Sequence, residues 1–406
     1  MQLIEKLNKL KSISLAEFIV ILLCISLSIS LLSSGIARNL FYFSVYFSLI
    51  GLCLNYKKIN KVNLMIFSSI FLFGFSKIIW ALIVNNDVGS ISYYPYFSTG
   101  KKIVLASVIV LFLVSNLQKN HDLNSKIKTL LISGFIFSTC YGIWQHFNGA
   151  PRVEFGWDRA TISAYCYSAL SLAVTGGLIK KSRSLFLTAI MILSFIISYF
   201  VIIFTGTRAA IIMHPLIFLA LLLFSKKYKT ILTIILLLAV LIPAFYSSIF
   251  ESKIHKTNTE IYTFMSSAGN KMTSLGSRFS MWDEGIWFIK QKPLGASFEV
   301  RENMIKKHVM ENKKNESALG YIDVHLHNEV IDTVSLQGVI GGILLLFFYI
   351  CILFESLIKR KLILLSCIVC LIIYGTTDVI FFSSEATIFF MSLMVMGLFY
   401  KTNHKT

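Results

Sequence analysis

Apolar runs of about twenty residues alternate with short polar links along almost the entire chain. A run of that length crosses a hydrocarbon layer of about 30 Å as an α-helix. Backbone polar groups in lipid must be paired within the segment, which excludes open strands. The pattern therefore predicts an all-α polytopic membrane protein with about twelve transmembrane helices. The predicted spans are residues 16–34, 39–55, 62–84, 103–118, 128–147, 160–179, 184–205, 208–224, 230–250, 328–355, 361–378 and 380–400.

Composition supports this interpretation, because 56% of the 406 residues are hydrophobic and only 14% are charged, whereas about a quarter of a soluble domain is charged. The net charge of +18 would also suit a nucleic-acid-binding protein, but most Lys and Arg residues fall on alternate links. Under the positive-inside rule, that distribution places both termini in the cytoplasm. The opposite short links carry Arg38, Lys101, Lys102, Arg152, Arg159 and Arg208.

One long hydrophilic segment, residues 251–327, interrupts the series on the non-cytoplasmic side. It divides the chain into residues 1–250 with nine spans, the loop, and residues 328–406 with three spans and a cytoplasmic tail. Within the loop, the helical spacing of Phe279, Trp282, Ile286 and Ile289 predicts an amphipathic helix near 277–291. Ser280 and Asp283 resemble a capping box for that helix. Residues 299–318 are strongly charged and suggest a solvated helix or a mobile segment.

The stretch "DVHLHNE", residues 323–329, stands at the entrance of the tenth predicted span. An imidazole there suits a proton acceptor because its pKa needs little adjustment near neutral pH. We favour His327 for this role, with Asn328 orienting its ring and Glu329 stabilising its charged form. His325, His327 and the nearby carboxylates also resemble a metal site, but the sequence offers no further ligand cluster. A purely structural histidine that caps the incoming helix remains an alternative.

Arginines on the non-cytoplasmic side run against the positive-inside bias and therefore suggest a function. Arg208 lies in "TGTRAA", where the start of a helix and a guanidinium together form an anion site. Headgroup contact or pairing with Asp158 is the simpler alternative. Arg278 lies near the predicted loop helix, and Trp282 could stack on a sugar ring or merely dock the loop. Together, the two arginines suggest a bound diphosphate.

Lys77 lies inside the apolar run "FGFSKIIWALIV". A cation at membrane depth faces the bundle interior and has a partner there. The sequence does not indicate which residue is that partner.

Three motifs in order resemble one known family. His327-Asn328 followed after nine residues by Gly338-x-x-Gly341 is similar to a signature of O-antigen ligases. The "TGTRAA" turn and the loop sequence "SRFSMWDEGIWFIKQKPLG" resemble two further landmarks of that family. The order of the motifs and the twelve-span plan match over essentially the whole chain, and the resemblance is to the enterobacterial type. The wider superfamily also includes O-antigen polymerases and protein O-oligosaccharyltransferases.

The resemblance implies a membrane glycosyltransferase of GT-C-like architecture in the bacterial inner membrane, with the long loop and active site in the periplasm. Its donor would be an O-antigen polysaccharide on undecaprenyl diphosphate, its acceptor a sugar hydroxyl of lipid A–core, and its products would have inverted anomeric configuration. No metal, cofactor or nucleic acid would take part. The residues implied as catalytic are His327, Arg208 and Arg278, and those implied to bind substrate are Arg208, Arg278, Asn328 and Trp282.

Two alternatives remain at this stage. An O-antigen polymerase would use the same donor but lengthen the sugar chain itself. A flippase or transporter for lipid-linked sugar would make no bond at all, and would need charged residues lining a cavity within the spans.

Overall fold

The structure is a computed structural model that describes residues 14–54, 64–84, 93–117, 121–179, 185–227, 230–231, 234, 259, 262, 273–313 and 315–400. Throughout these residues the regular secondary structure is helical. The first eight helices are α1 (Leu15–Ile29), α2 (Ser34–Leu54), α3 (Leu64–Val84), α4 (Tyr93–Asn116), α5 (His121–Phe147), α6 (Ala160–Ile179), α7 (Leu185–Thr205) and α8 (Arg208–Phe224). They are followed by α9 (Ser274–Gln291), α10 (Phe298–Asn312), α11 (Glu329–Ile358), α12 (Leu362–Gly375) and α13 (Ser384–Phe399).

Seven of these helices are long and apolar enough to cross a membrane, namely α2 to α7 and α11. Four more apolar helices, α1, α8, α12 and α13, are shorter. The chain is therefore a multi-pass membrane protein. Each predicted span coincides with one of these helices except 230–250, which lies almost entirely outside the described residues.

The predicted boundary of the fourth span is wrong. We interpreted "NNDVGSISYYPYFSTGKK", residues 85–102, as a link, but α4 begins at Tyr93. Pro95 does not prevent this because proline is tolerated in the first helical turn. Tyr96, Thr99 and Lys102 are polar and lower the apparent hydropathy of the segment, yet they are buried against neighbouring helices. Lys101 and Lys102 consequently belong to a helix and not to a link.

The long hydrophilic segment contains a helix pair, α9 and α10, that packs on α11. The predicted helix near 277–291 is present but begins earlier, because Thr273 is its N-cap and accepts a hydrogen bond from the Gly276 N–H. Ser280 is thus inside the helix and contacts Ser317 through its hydroxyl (2.9 Å), so the predicted capping box is wrong.

The buried side of α9 also differs from the predicted one. Met281, Glu284 and Phe288 face its partners, whereas Phe279 and Ile286 are exposed. In α10 the interpretation as a solvated or mobile segment is incorrect, because Phe298, Arg301, Ile305 and Val309 are buried. Three- and four-residue spacing accounts for that inward face, which the surrounding charges had obscured.

Helix α11 is broken at Gly338, whose backbone (φ +72°, ψ −175°) is not helical. A left-handed φ at this position favours glycine. The segment after α9 fills the break: the Val339 N–H donates to the Pro293 carbonyl (2.9 Å) and the Ala296 N–H donates to the Leu336 carbonyl (3.2 Å). A Cβ atom at Gly338 would come within 2.4 Å of the Leu294 backbone. The first glycine of the His-Asn-x9-Gly-x-x-Gly motif is therefore required for this close approach.

The partner of Lys77 is Glu329 at the start of α11. Their Nζ and Oε1 atoms are 3.8 Å apart and both side chains are completely buried. The ammonium also lies over the rings of Phe73, Tyr96 and Phe381 at 5.3–5.7 Å. The prediction that Lys77 faces the bundle interior is confirmed.

Candidate active site

Both histidines of the "DVHLHNE" stretch contact one carboxylate, that of Asp378. His327 Nδ1 lies 3.3 Å and His325 Nε2 lies 3.6 Å from Asp378 Oδ1. His327 Nδ1 and Asp378 Oδ1 are within ion-pair distance, but the angles of the contact do not meet those of a hydrogen bond. The His327 side chain is 24% exposed, against 11% for His325 and 7% for Asp378. His327 is therefore the member of the trio that solvent or a substrate reaches.

Burial and charge set the protonation of the two groups behind His327. Burial lowers the pKa of His325 to about 4, although the Asp378 carboxylate opposes this. Burial alone would raise the pKa of Asp378, but the contact with His327 outweighs it and holds that pKa below its usual value. At neutral pH, His325 is thus neutral and Asp378 is ionised. The carboxylate beside His327 therefore carries a negative charge.

Four hydrogen bonds fix the backbone around His327. His327 itself has a left-handed φ of +48°, which is uncommon outside glycine. Asn328 caps α11 by accepting from the N–H groups of Val330 and Ile331, and its amide donates to the Thr376 carbonyl (3.2 Å). The Trp282 indole donates to the His327 carbonyl (3.3 Å).

These contacts change two predicted roles. Asn328 fixes the helix start and the turn at Thr376, and does not orient the His327 ring directly. Trp282 is half-buried and docks the loop through its N–H, which corresponds to the simpler of the two roles considered for it.

Glu329 does not lie beside His327, contrary to the prediction. Its carboxylate is fully buried, pairs with Lys77, and accepts from the Phe381 N–H (2.9 Å). Alternate residues at the start of a helix point in different directions, so adjacency in sequence did not place Glu329 near the imidazole. Asp378 occupies the position that we had expected for Glu329.

Arg278 shares a neighbour with Asp378. The hydroxyl of Tyr165 on α6 is hydrogen-bonded to Thr377 (3.1 Å), the residue before Asp378. Three charged groups are close enough to act electrostatically on this hydroxyl, namely Arg278, Arg152 and Asp378. Arg278 is half-buried in the second turn of α9. The structure thus brings Arg278 to the same end of the bundle as the His–Asp trio.

Arg208 is the first residue of α8, as predicted, and is half-buried. The turn before it is held by Arg152, whose Nε donates to the Thr205 carbonyl (2.7 Å) and whose Nη2 donates to the Thr207 hydroxyl (3.1 Å). Arg208 thus directly follows a turn that Arg152 holds, and the charge of Arg152 also acts on the Tyr165 hydroxyl. Backbone N–H groups at a helix start and guanidinium groups are both suited to bind an anion.

The trio His325, His327 and Asp378 also has the composition of a metal site, since one ligand atom from each lies within 4.8 Å of the others. The sequence offers no further ligand cluster near the histidines, whereas the fold brings Asp378 to them. Imidazole and carboxylate ligands suit zinc and similar ions. The prediction of a metal-independent protein therefore needs a direct test.

Asp378 was missed because it is distant in sequence from the histidines, on the short link between α12 and α13. The available signal was a single carboxylate in "YGTTDVIFF" at one end of a predicted span. The sequence pattern distinguishes Arg152 only as one of several cations on these links and gives no sign that it holds the "TGTR" turn.

The fold and site together define a multi-pass helical membrane protein with a His–Asp centre and several guanidinium groups at one end of its bundle. The model of the O-antigen ligase family matches residues 193–346, which include Arg208, Arg278 and His327. Over 98% of its length the chain is 29% identical to the O-antigen ligase of Escherichia coli K12, of which the match covers 96%. The resemblance to the O-antigen ligases that the motifs predicted is confirmed.

A second relative is more distant. An uncharacterised protein of Haemophilus influenzae is 25% identical over 149 residues, which cover 35% of this chain and 37% of that protein.

Proposed function

We propose that this protein is a glycosyltransferase that ligates O-antigen to lipid A–core. The donor is O-antigen polysaccharide on undecaprenyl diphosphate, and the acceptor is a sugar hydroxyl of the core. The reaction takes place on the periplasmic face of the inner membrane, within a GT-C-like architecture. The observation that carries this proposal is the accessible His327 beside an ionised Asp378, at the end of the bundle that also holds Arg278.

His327 is the proton acceptor in this proposal. Because Nδ1 faces the Asp378 carboxylate, Nδ1 carries the ring hydrogen and Nε2 is left to accept a proton. The acceptor hydroxyl loses its proton to Nε2 as its oxygen attacks the anomeric carbon of the donor. Asp378 stabilises the imidazolium that forms, as an orienting carboxylate does in hydrolytic triads.

The leaving group is the lipid diphosphate, which takes the electron pair of the broken carbon–oxygen bond. Its pKa is already low, so it needs charge stabilisation more than protonation. Arg278, and Arg208 at the start of α8, supply fixed positive charge for this purpose. A single displacement inverts the anomeric carbon. Both substrates are lipid-anchored, which confines them to the depth of the site and orients them.

The decisive experiment combines the purified full-length protein in nanodiscs with diphosphate-linked donor and lipid A–core, and resolves the products on a gel. We expect core-linked polysaccharide with wild type, and none with His327→Ala. Asp378→Asn should lower kcat by a factor of about 10² to 10⁴, the range for loss of an acid–base function. Lys307→Ala, an exposed cation on α10, is the control and should behave as wild type.

Each contrary result has a definite meaning. Lengthened donor without transfer to core would identify a polymerase instead. Full ligation by His327→Ala would disprove its role as the base. Loss of activity in excess EDTA, restored by a divalent ion, would show that His325, His327 and Asp378 hold a metal and would refute the metal-independent mechanism.

A further inference from the structure

The carboxylate of Asp332, on the first turn of α11, joins three other parts of the molecule. Oδ2 accepts from the Tyr96 hydroxyl of α4 (2.6 Å), and Oδ1 accepts from Arg301 Nη1 of α10 (2.8 Å). Oδ1 also accepts from the backbone N–H of Leu326 (3.1 Å). Arg301 and Asp332 side chains are both completely buried. None of these residues belongs to the His327–Asp378 centre.

Leu326 is the residue between His325 and His327, so its hydrogen bond to Asp332 fixes the loop that carries both imidazoles. The next residue, His327, has a left-handed backbone. A non-glycine residue persists in that conformation only when its surroundings impose it. Asp332 on one side of His327 and the Asn328 cap on the other supply this constraint.

Arg301 in turn determines where the Asp332 carboxylate lies. Its Nη1 contacts both Asp332 and the Ser335 hydroxyl (2.9 Å), and its guanidinium lies 4.9 Å from the centre of the Phe298 ring. Nε and Nη2 have no hydrogen-bond partner among the described residues. A buried pair of this kind adds little stability compared with apolar residues of similar volume, and what it can supply is a unique geometry.

We propose that Arg301, Asp332 and Tyr96 are positioning residues for the transfer reaction, which hold the His325–His327 loop so that His327 Nε2 faces the acceptor hydroxyl. The proposal rests on the proposed function, because it assigns these residues to the same site. It also gives the helix pair α9–α10 a mechanistic role: Arg301 connects the placement of α10 on the bundle to the placement of the imidazole.

The test measures kcat and the KM for lipid A–core with purified full-length variants in nanodiscs. We expect Arg301→Met to lower kcat roughly 100-fold, the effect of displacing a catalytic group by about 1 Å, with little change in KM. Tyr96→Phe keeps the ring and loses one hydrogen bond to a charged group, so we expect about a tenfold loss. Arg301→Lys retains the charge and should recover part of the kcat that Arg301→Met loses.

The double variant Glu355→Gln/Lys361→Met is the matched control. It removes another ion pair of α11 (Lys361 Nζ to Glu355 Oε1, 2.8 Å) at the opposite end of that helix from Leu326 and Tyr96. If kcat falls equally in this control and in Arg301→Met, in proportion to the loss of folded protein, the role of Arg301 is only structural and the proposal is wrong. Wild-type kcat in both folded Arg301→Met and folded Tyr96→Phe would also overturn it.

A readout that needs no substrate separates this proposal from the proposed function. Diethyl pyrocarbonate modifies His327 at a rate that reports the accessibility and environment of its imidazole. Mass spectrometry of the peptide that contains His327 follows this rate. We expect the rate to change in Arg301→Met and Tyr96→Phe but not in the double control. An unchanged rate in the first two refutes the positioning role, whereas absence of transfer by wild type refutes the proposed function alone.

Discussion

At the scale of single residues, the site is organised around one accessible imidazole and two buried groups behind it. His327 faces outward, while His325 and Asp378 are screened from solvent. The depressed pKa values of these two groups give them opposite roles: His325 stays neutral and Asp378 stays charged. Because His325 is neutral, the Asp378 carboxylate acts on His327 without a second positive imidazole beside it.

The low pKa of His325 makes stability depend on pH. The unfolded residue binds a proton near pH 6.5, but the folded residue binds one only near pH 4. Between these values the unfolded state holds more protons, so stability decreases as the pH falls through this window. At pH 5 the loss is about 2 kcal/mol relative to pH 7.5.

Thermal melting of detergent-solubilised protein at a series of pH values measures this effect. His325→Gln should melt with a visibly weaker dependence on pH than wild type between pH 7.5 and 5. Identical slopes for the two proteins would show that His325 does not titrate as its burial indicates.

Several residue-level predictions came directly from the sequence, and others required the fold. Arg208 at a helix start and Lys77 facing the bundle interior could be read from local pattern. Asp378 and Arg301 could not, because their importance arises from contacts with residues about 50 and about 30 positions away, respectively. Sequence periodicity describes one element at a time and carries no information on which distant element supplies a partner.

At the scale of elements, hydropathy located the membrane helices well but misplaced their polar ends. The first ten residues of α4 have the composition of a link, yet they form a helix that buries the side chains of Tyr96, Thr99 and Lys102. Similarly, the charged surface of α10 concealed its buried face. Both errors have one physical cause. Hydropathy averaged over a stretch of sequence cannot distinguish a polar side chain that faces water from one that is paired inside the protein.

The break in α11 gives a prediction at this scale. Gly338→Ala adds a Cβ where φ is +72° and the Leu294 backbone is 2.4 Å away. We expect a loss of stability of about 1–3 kcal/mol, the usual cost of a strained backbone. We also expect lower activity, because residues 293–295 must move away from the break.

Melting temperature and ligation activity of the purified variant test this prediction. Gly320→Ala is the control, since no atom lies within 4 Å of its added Cβ. Equal melting temperatures for Gly338→Ala and Gly320→Ala would contradict the close approach at the break.

At the scale of the whole molecule, the residues that we assign to the site come from helices at both ends of the sequence. Tyr96, Tyr165 and Arg208 come from the first eight helices, Arg278 and Arg301 from the helix pair, and Asp378 from the last link. No single stretch of the chain contains the site, which explains why three short motifs in order were informative while each alone was weak.

The predicted topology can be checked on intact cells. In a background without cysteine, a membrane-impermeant thiol reagent should label Tyr321→Cys, beside the helix pair, because we expect it in the periplasm. It should not label Arg360→Cys, between α11 and α12, until the membrane is opened. Labelling of Arg360→Cys in intact cells would reverse the orientation and place His327 in the cytoplasm.

The broken α11 has a further consequence for depth. The part beyond Gly338, residues 339–358, contains 20 residues, which as a helix measure about 30 Å and equal the thickness of the hydrocarbon layer. The part before Gly338 is then surplus to crossing, so we expect the imidazole at its tip to lie outside the hydrocarbon layer, on the headgroup side. A sugar attached to a membrane lipid presents its first linkage at that height, whereas a sugar free in solution is not held there.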